Sequence, residues 1–259
     1  MIPKKIHYFW FGESEKPKMV LDCINSWKKY CPDYEIIEWN EKNYDVHKNK
    51  YMEQAYTAKR WGFVSDYARL DVIYEHGGLY FDTDVEIVKP LDELMNIGGF
   101  IGFEKNVDTV NQNYYVNTGQ GFGATNSHPV IKQMLDVYAE LQFFENNKEN
   151  LTTCPYYNTI ALIDLGLRQD NIFQKLGDFV VYPSDYFCPI NWKTKKIEKT
   201  DNTYTIHYFN ASWLSEKEKK QRKKERMADY IVHLPNIILK KFLGNDRYQN
   251  LKNLLKRIK

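Results

Sequence analysis

The chain alternates between two hydrophobic periods, and the alternation outlines its elements. Residues 62–78, GFVSDYARLDVIYEHGG, place Phe63, Tyr67, Leu70 and Tyr74 at offsets of four, three and four. That spacing is one apolar stripe along a helix. The double glycine then stops it, because Gly tolerates the left-handed backbone of a C-terminal cap. LYFDTDV follows as a strand. Upstream, residues 3–10 (PKKIHYFW) read as a buried strand. Residues 17–30 read as a helix entered through Pro17 and ended before Pro32. Residues 34–39 (YEIIEW) read as a second strand, and 50–60 as helix. Downstream, 99–104 and 114–124 are predicted strands, about 128–145 and 155–165 helices, and 179–183 and 203–209 the closing strands. Helices alternating with strands predict an α/β fold, a sheet with helices on its faces.

Composition changes this picture in one place. The formal net charge of +2 conceals a division: residues 216–259 hold 14 Lys/Arg and 5 Asp/Glu, a net of +9. The preceding 215 residues therefore carry a net of −7. An acidic body with a basic tail predicts two parts, residues 1–215 and 216–259, the second an electrostatic attachment segment. Within the tail, Ile231, Leu234, Ile237, Ile238, Phe242 and Leu243 alternate with Lys240 and Lys241, and Leu251, Leu254, Leu255 and Ile258 keep helical spacing. That is the composition of a helix lying on anionic lipid; the alternative is a helical cap packed on the body. No recognisable nucleic-acid-binding motif accompanies the basic run, so no nucleic-acid partner is expected. The four cysteines, Cys23, Cys31, Cys154 and Cys188, form no CxxC pair. Reduced thiols in a cytosolic protein are expected. The opening apolar run is too short for a signal peptide, and no stretch of 18 apolar residues offers a membrane span. Together these predict a cytoplasmic protein, peripheral on the inner face of the plasma membrane if the tail binds lipid.

The chemistry concentrates in GGLYFDTDVE, residues 77–86, where Asp82, Asp84 and Glu86 alternate. Converging carboxylates repel unless a cation joins them. If the strand continues, Tyr80, Asp82 and Asp84 share one face, and two carboxylates projecting together suit Mg²⁺ or Mn²⁺. An isolated DxD also fits a solvated turn. A calcium loop is rejected, because its sixth position needs Gly and holds Ile87, and Pro90 intrudes. Asp66 and Arg69 share a face of the preceding helix. Taken alone they read as a surface ion pair, but their helix leads through Gly77–Gly78 straight to the acidic segment.

At this point the residues resemble a known family. SDYARLDVIYEHGGLYFDTDVE resembles the DXD signature of glycosyltransferase family 32, the sugar-binding, capsular polysaccharide type of retaining glycosyltransferase. It is also similar to the catalytic domains of the clostridial glucosylating toxins. IPKKIHYFWFG, VYPSDYFCPI and TIHYFNASW match the opening and closing blocks, so the resemblance spans roughly residues 1–215. It implies a GT-A fold, Rossmann-like with a mixed central sheet, a divalent cation (Mn²⁺ or Mg²⁺) and a nucleotide-sugar donor. By the same resemblance Asp84 ligates the metal directly, and Asp82 contacts the ribose or the donor sugar and reaches the metal through water. Trp10 stacks on the base, its alternative being a core role. Asp66 and Arg69 grip the donor sugar, Tyr80 lines the pocket, and Ser212 and Trp213 close over the diphosphate. His207 completes the metal shell or is a satisfied core histidine, and Asn117 hydrogen-bonds the transferred sugar.

The function so implied is retaining transfer of a hexose to a glycan or lipid-linked acceptor in bacterial surface polysaccharide synthesis. The toxin-like tryptophan favours a UDP-hexose over GDP-mannose. The rivals are another metal–phosphate enzyme, such as a nucleotidyltransferase or pyrophosphohydrolase, and a non-catalytic binder of nucleotide-sugar or glycan.

Overall fold

The computed structural model describes residues 1–107, 113–190 and 196–210. Ser212, Trp213 and the basic tail lie outside the described residues. Strand β1 (Lys5–Phe9) occupies the inside of the main sheet, with Ile6, His7, Tyr8 and Phe9 all buried. It pairs in parallel with β2 (Glu35–Trp39) on one side and β3 (Gly78–Tyr80) on the other. Parallel neighbours require crossovers. Helix α1 (Lys18–Tyr30) makes the first, and α2 (Lys50–Thr57) with α3 (Trp61–His76) makes the second. The amphipathic α1 buries Val20, Cys23, Ile24 and Trp27, and the Trp27 indole donates to the Val85 carbonyl at 2.8 Å.

The sheet continues beyond β3 in mixed sense. β7 (Phe122–Ala124) lies antiparallel between β3 and β5 (Gly99–Val107). Then come β11 (Phe179–Tyr182), parallel to β5, and β10 (Gln174–Leu176), antiparallel to β11. β6 (Tyr114–Val116) pairs with β5 off this path. A separate two-stranded ribbon joins β4 (Val85–Ile87) to β12 (Thr205–His207). Among the described residues, helices α4 (Pro129–Val137) and α5 (Cys154–Ile163) complete the helical set, with a short 3₁₀ turn at Asp92–Leu94. This mixed sheet with flanking helices is the α/β architecture that the GT-A expectation describes. No helix among the described residues is long and apolar enough to cross a membrane.

Four expectations need correction. The predicted 114–124 strand is two strands, divided at Gly121, whose φ of 126° and proximity to the Phe81 ring exclude a side chain. The helix expected over 128–145 ends at Val137. Past it, Phe143 packs against Tyr51 and Phe63, and its N–H is taken by the Gln54 side chain at 2.8 Å. The chain then forms a hairpin of β8 (Phe144–Glu145) and β9 (Lys148–Glu149), turning on Asn146 and Asn147 at positive φ. Helix α3 carries no single stripe: ten of its residues are buried, including Ser65, Asp66, Arg69 and Asp71. Finally, the strand entering the DTD segment does not continue. It stops at Tyr80, because Phe81 turns into the core and the Asp82 N–H bonds the Gly119 carbonyl at 3.0 Å instead of a ladder partner.

Candidate metal and donor site

The DTD segment is therefore a tight turn between β3 and β4, closed by the Val85 N–H on the Asp82 carbonyl at 3.0 Å. It lies at the carboxyl end of β3, beside the same end of β1, the edge where α/β sheets open their crevices. The turn, and not pleat alternation, brings Tyr80, Asp82 and Asp84 together. The Tyr80 hydroxyl donates to Asp82 Oδ1 at 2.8 Å. His207 arrives through pairing of β12 with β4, opposite Val85. Its Nε2 lies 3.2 Å from Asp84 Oδ1 and 3.9 Å from Asp82 Oδ2. The Asn210 backbone N–H donates to Asp84 Oδ2 at 2.7 Å.

One donor atom each from Asp82, Asp84 and His207 falls within 4.8 Å of the others. Burial disfavours the charged forms of both His207 and Asp84, but their mutual attraction outweighs it. His207 is held above its ordinary range and Asp84 below it. The His207 imidazole thus faces the two carboxylates where a cation would join them. Two hard carboxylates and one imidazole are a donor set suited to a divalent ion such as Mn²⁺ or Mg²⁺. The residues present fit that group.

A second, drier cluster abuts the first. Arg69 is buried and fixed on α3, with Nε donating to the Ser65 carbonyl at 2.8 Å and Nη2 to Ser65 Oγ at 2.9 Å. The same Nη2 lies 3.1 Å from Asp66 and 3.2 Å from Asp82, and the guanidinium stacks 4.9 Å above the Tyr80 ring. Burial pushes the Asp66 carboxyl up to about 6, while Arg69 pulls it back. Arg69 stays charged: desolvation opposes the charge, and Asp82 more than restores it. The pair is thus buried, not the surface pair that its spacing alone suggests.

Asn117 joins the wall through an amide fixed at both ends. Its Oδ1 accepts from the Gly119 N–H at 2.7 Å, and its Nδ2 donates to Glu104 at 3.0 Å. Trp10 lies just past β1 at the same sheet edge, half-buried against the core, its indole donating to the Ser14 carbonyl at 2.7 Å. Among the described residues, no hydrogen bond or ring contact joins Trp10 to the acidic cluster. The structure thus brings together Asp66, Arg69, Tyr80, Asp82, Asp84, Asn117 and His207. Sequence reasoning missed Ser65, Gly119 and Glu104. Ser65 could have been found, since it stands one turn before Arg69 on the same helix.

Residues 17–100 match the glycosyltransferase sugar-binding region containing the DXD motif. Inositol phosphoceramide mannosyltransferase 1 of Schizosaccharomyces pombe is 27% identical, over 52% of this chain and 42% of its own. Subversion of eukaryotic traffic protein A of Legionella pneumophila is 27% identical, over 39% of this chain and 20% of its own. The chain spans less than half the length of the curated relatives it matches. Among solved structures, the PaToxG glycosyltransferase is similar with 21% identity and a TM-score of 0.48, over 63% of this chain and 69% of that one. The matched segment 17–100 contains the acidic turn, with Asp66 and Arg69 ahead of it, so the likeness to a DXD glycosyltransferase sugar-binding region falls on the residues that build the site.

Proposed function

We propose that the chain is a metal-dependent, retaining glycosyltransferase. It moves a hexose from a nucleotide-sugar, a UDP-hexose in preference to GDP-mannose, to a glycan or lipid-linked acceptor in bacterial surface polysaccharide synthesis. The observation that carries this reading is the convergence of Asp82, Asp84 and His207 beside the buried Arg69. A divalent ion bound there supplies Lewis-acid stabilisation of the leaving diphosphate. Asp84 and His207 would hold that ion, and Asp82 would contact the donor and reach the ion directly or through water. Arg69 and Asp66 orient the donor sugar, Arg69 facing oxygens near the sugar–phosphate link, with Tyr80 as the pocket floor. Asp66, more basic than an ordinary carboxyl, is suited to accept a sugar hydroxyl. Trp10 would stack the base, and Ser212 and Trp213 would cover the diphosphate. Retention rests on the family resemblance and on a front-face reaction.

A lipid-borne acceptor gains support from the relative named an inositol phosphoceramide mannosyltransferase, and that name also keeps GDP-mannose on the donor panel. The basic segment 216–259 would hold the enzyme at an anionic inner membrane face. The test is a panel of UDP- and GDP-sugars assayed for Mn²⁺-dependent release of nucleoside diphosphate. Transfer with nucleotide release is expected. Consumption of nucleotide without sugar transfer, or donor binding without release, would replace this reading with one of its rivals. Asp84→Asn is expected to remove metal-dependent donor binding and at least about 99% of turnover, on the scale of a lost electrostatic contact to the transition state. Near-wild-type transfer by a folded Asp84→Asn protein contradicts the metal assignment.

A further inference from the structure

The exposed apolar surface of this protein is gathered in one stretch. Of the eleven large hydrophobic side chains that stand exposed among the described residues, eight fall within residues 144–173. Leu151, Tyr156, Ile160, Ile163 and Leu165 are 38–53% exposed. Tyr156, Ile160 and Ile163 lie at offsets of four and three on α5, so they share its outer face. The inner face is already spent on the core, where Tyr157, Ala161 and Leu162 are buried. Helix α5 thus has one apolar side in the interior and a second in water. A lone exposed apolar residue needs no explanation, but a strip of them marks a surface that binds something.

Two observations say what covers it. The first is where α5 begins. Its first residue, Cys154, belongs to the candidate site. The Cys154 N–H donates to the Asp66 carboxylate, the Thr118 hydroxyl donates to its Sγ at 3.6 Å, and Arg69 Nη1 lies 3.8 Å from that sulfur. At a rise of about 1.5 Å per residue, Tyr156, Ile160 and Ile163 stand about 3, 9 and 14 Å along the axis from Cys154. The strip therefore starts within one turn of the groups assigned to the donor sugar and leads away from them. The second observation is charge. Residues 144–173 carry Lys148 and Arg168 against Glu145, Glu149, Asp164 and Asp170. Arg168 is paired with Asp170, and Asp164 closes α5 at the far end of the strip. That balance attracts neither an anionic membrane face nor a nucleic acid, both of which need clustered Lys and Arg. An uncharged hydrocarbon chain joined to a sugar meets both conditions: its chain suits the strip and its head reaches the site.

We infer that the outer face of α5, with Leu151 and Leu165, is the docking strip for the hydrocarbon chain of a lipid-linked acceptor, which brings the head sugar to the site beside Cys154. This inference rests on the glycosyltransferase reading above and adds to it the place where the lipid lies. The strip contributes acceptor affinity and takes no part in bond making.

The test compares methyl and octyl glycosides of glucose, galactose and mannose as acceptors, kept below the micelle threshold. UDP-glucose, UDP-galactose and GDP-mannose serve as donors with Mn²⁺ present, and the glycoside product is measured. Wild-type enzyme should show a KM at least about tenfold lower for the octyl than for the methyl acceptor, the gain from burying about two methylene groups. In the Ile160→Gln/Ile163→Gln double variant that ratio should fall to about two or less, with kcat, donor KM and transfer to the methyl acceptor unchanged. Both side chains are exposed, so the melting midpoint should hold. A wild-type enzyme with equal KM for methyl and octyl acceptors overturns the inference. So does a double variant that keeps the full chain-length preference. A wild-type dimer in analytical ultracentrifugation that the double variant turns into a monomer overturns it as well, by assigning the strip to a second copy. A wild-type protein that makes no glycoside from any of these pairs defeats the underlying reading and this one with it.

Discussion

Replacing Gly119 by Ala tests whether the position of Asp82 matters more than its presence. Gly119 is not in a left-handed conformation, so Ala meets no backbone penalty there. Its Cβ would fall 2.3 Å from Asp82 Oδ2, 3.1 Å from Arg69 Nη1 and 3.1 Å from Asn117 Oδ1. Ordinary contact begins near 3.4 Å, so something must move by about 1 Å. Arg69 cannot be that group, because Ser65 and Asp66 hold it in the interior. Asp82, with its side chain 27% exposed, has room to swing outward. The stability cost should be about 1 kcal/mol, a shift of about 2–4 °C in a chain of this size. The functional cost should be far larger, since a misplacement of about 1 Å at a reacting centre costs on the order of 100-fold. Nucleoside diphosphate release titrated with Mn²⁺ should show weaker metal dependence and that loss of turnover, in a protein whose melting curve is nearly unchanged. A Gly119→Ala enzyme with wild-type turnover would refute the claim that Asp82 must sit where it does.

Arg69→Met should lower stability by about 3–5 kcal/mol, because Asp66 is left buried without its cation. Without Arg69 the Asp66 carboxyl is pushed higher still, so differential scanning calorimetry should show the deficit shrinking as pH falls towards about 6 and levelling off below it; an equal deficit at pH 5 and pH 8 would rule this out. His7 gives the opposite dependence. Desolvation lowers it to about 4, and Trp39 donates to its Nδ1 while Nε2 meets the Gly77 carbonyl. The unfolded chain therefore binds the proton first, and stability falls by up to about 3 kcal/mol as pH drops from about 6.5 towards 4. Urea midpoints should lose that slope in His7→Gln, and an unchanged slope would assign it to other groups. Flotation with phosphatidylglycerol vesicles should be strong for the full chain and lost without residues 216–259, at about 1 kcal/mol per surface Lys or Arg; equal flotation by both removes the tail from the membrane argument.

What could be read from the chain tracks how local the deciding physics is. Helix α1 and strands β1 and β2 follow from their own apolar pattern and from Pro17 and Pro32, and they stand within a residue or two of the prediction. The 144–149 hairpin does not follow from pattern, because Gln54 and the Tyr51–Phe63 pocket decide it from a distant part of the chain. Nor does the break after Tyr80. LYFDTDV has the composition of one strand, and only the Gly119 carbonyl and the pull of Phe81 into the core divide it.

The site divides in the same way. Asp66, Arg69, Asp82 and Asp84 are legible because their spacing is a motif, and motifs are short-range. His207 could only be a candidate, since its nearness to Asp84 depends on the β12–β4 ribbon. Glu104 was illegible: a single acid ending a strand is common, and what sets it apart is that no cation among the described residues pairs with it. A sequence records what a residue is, but a missing partner is a property of the packed neighbourhood. The acids of the turn have His207 and Arg69 to justify their burial energetically, whereas among the described residues Glu104 has the Asn117 amide, a contact that no short-range motif announces.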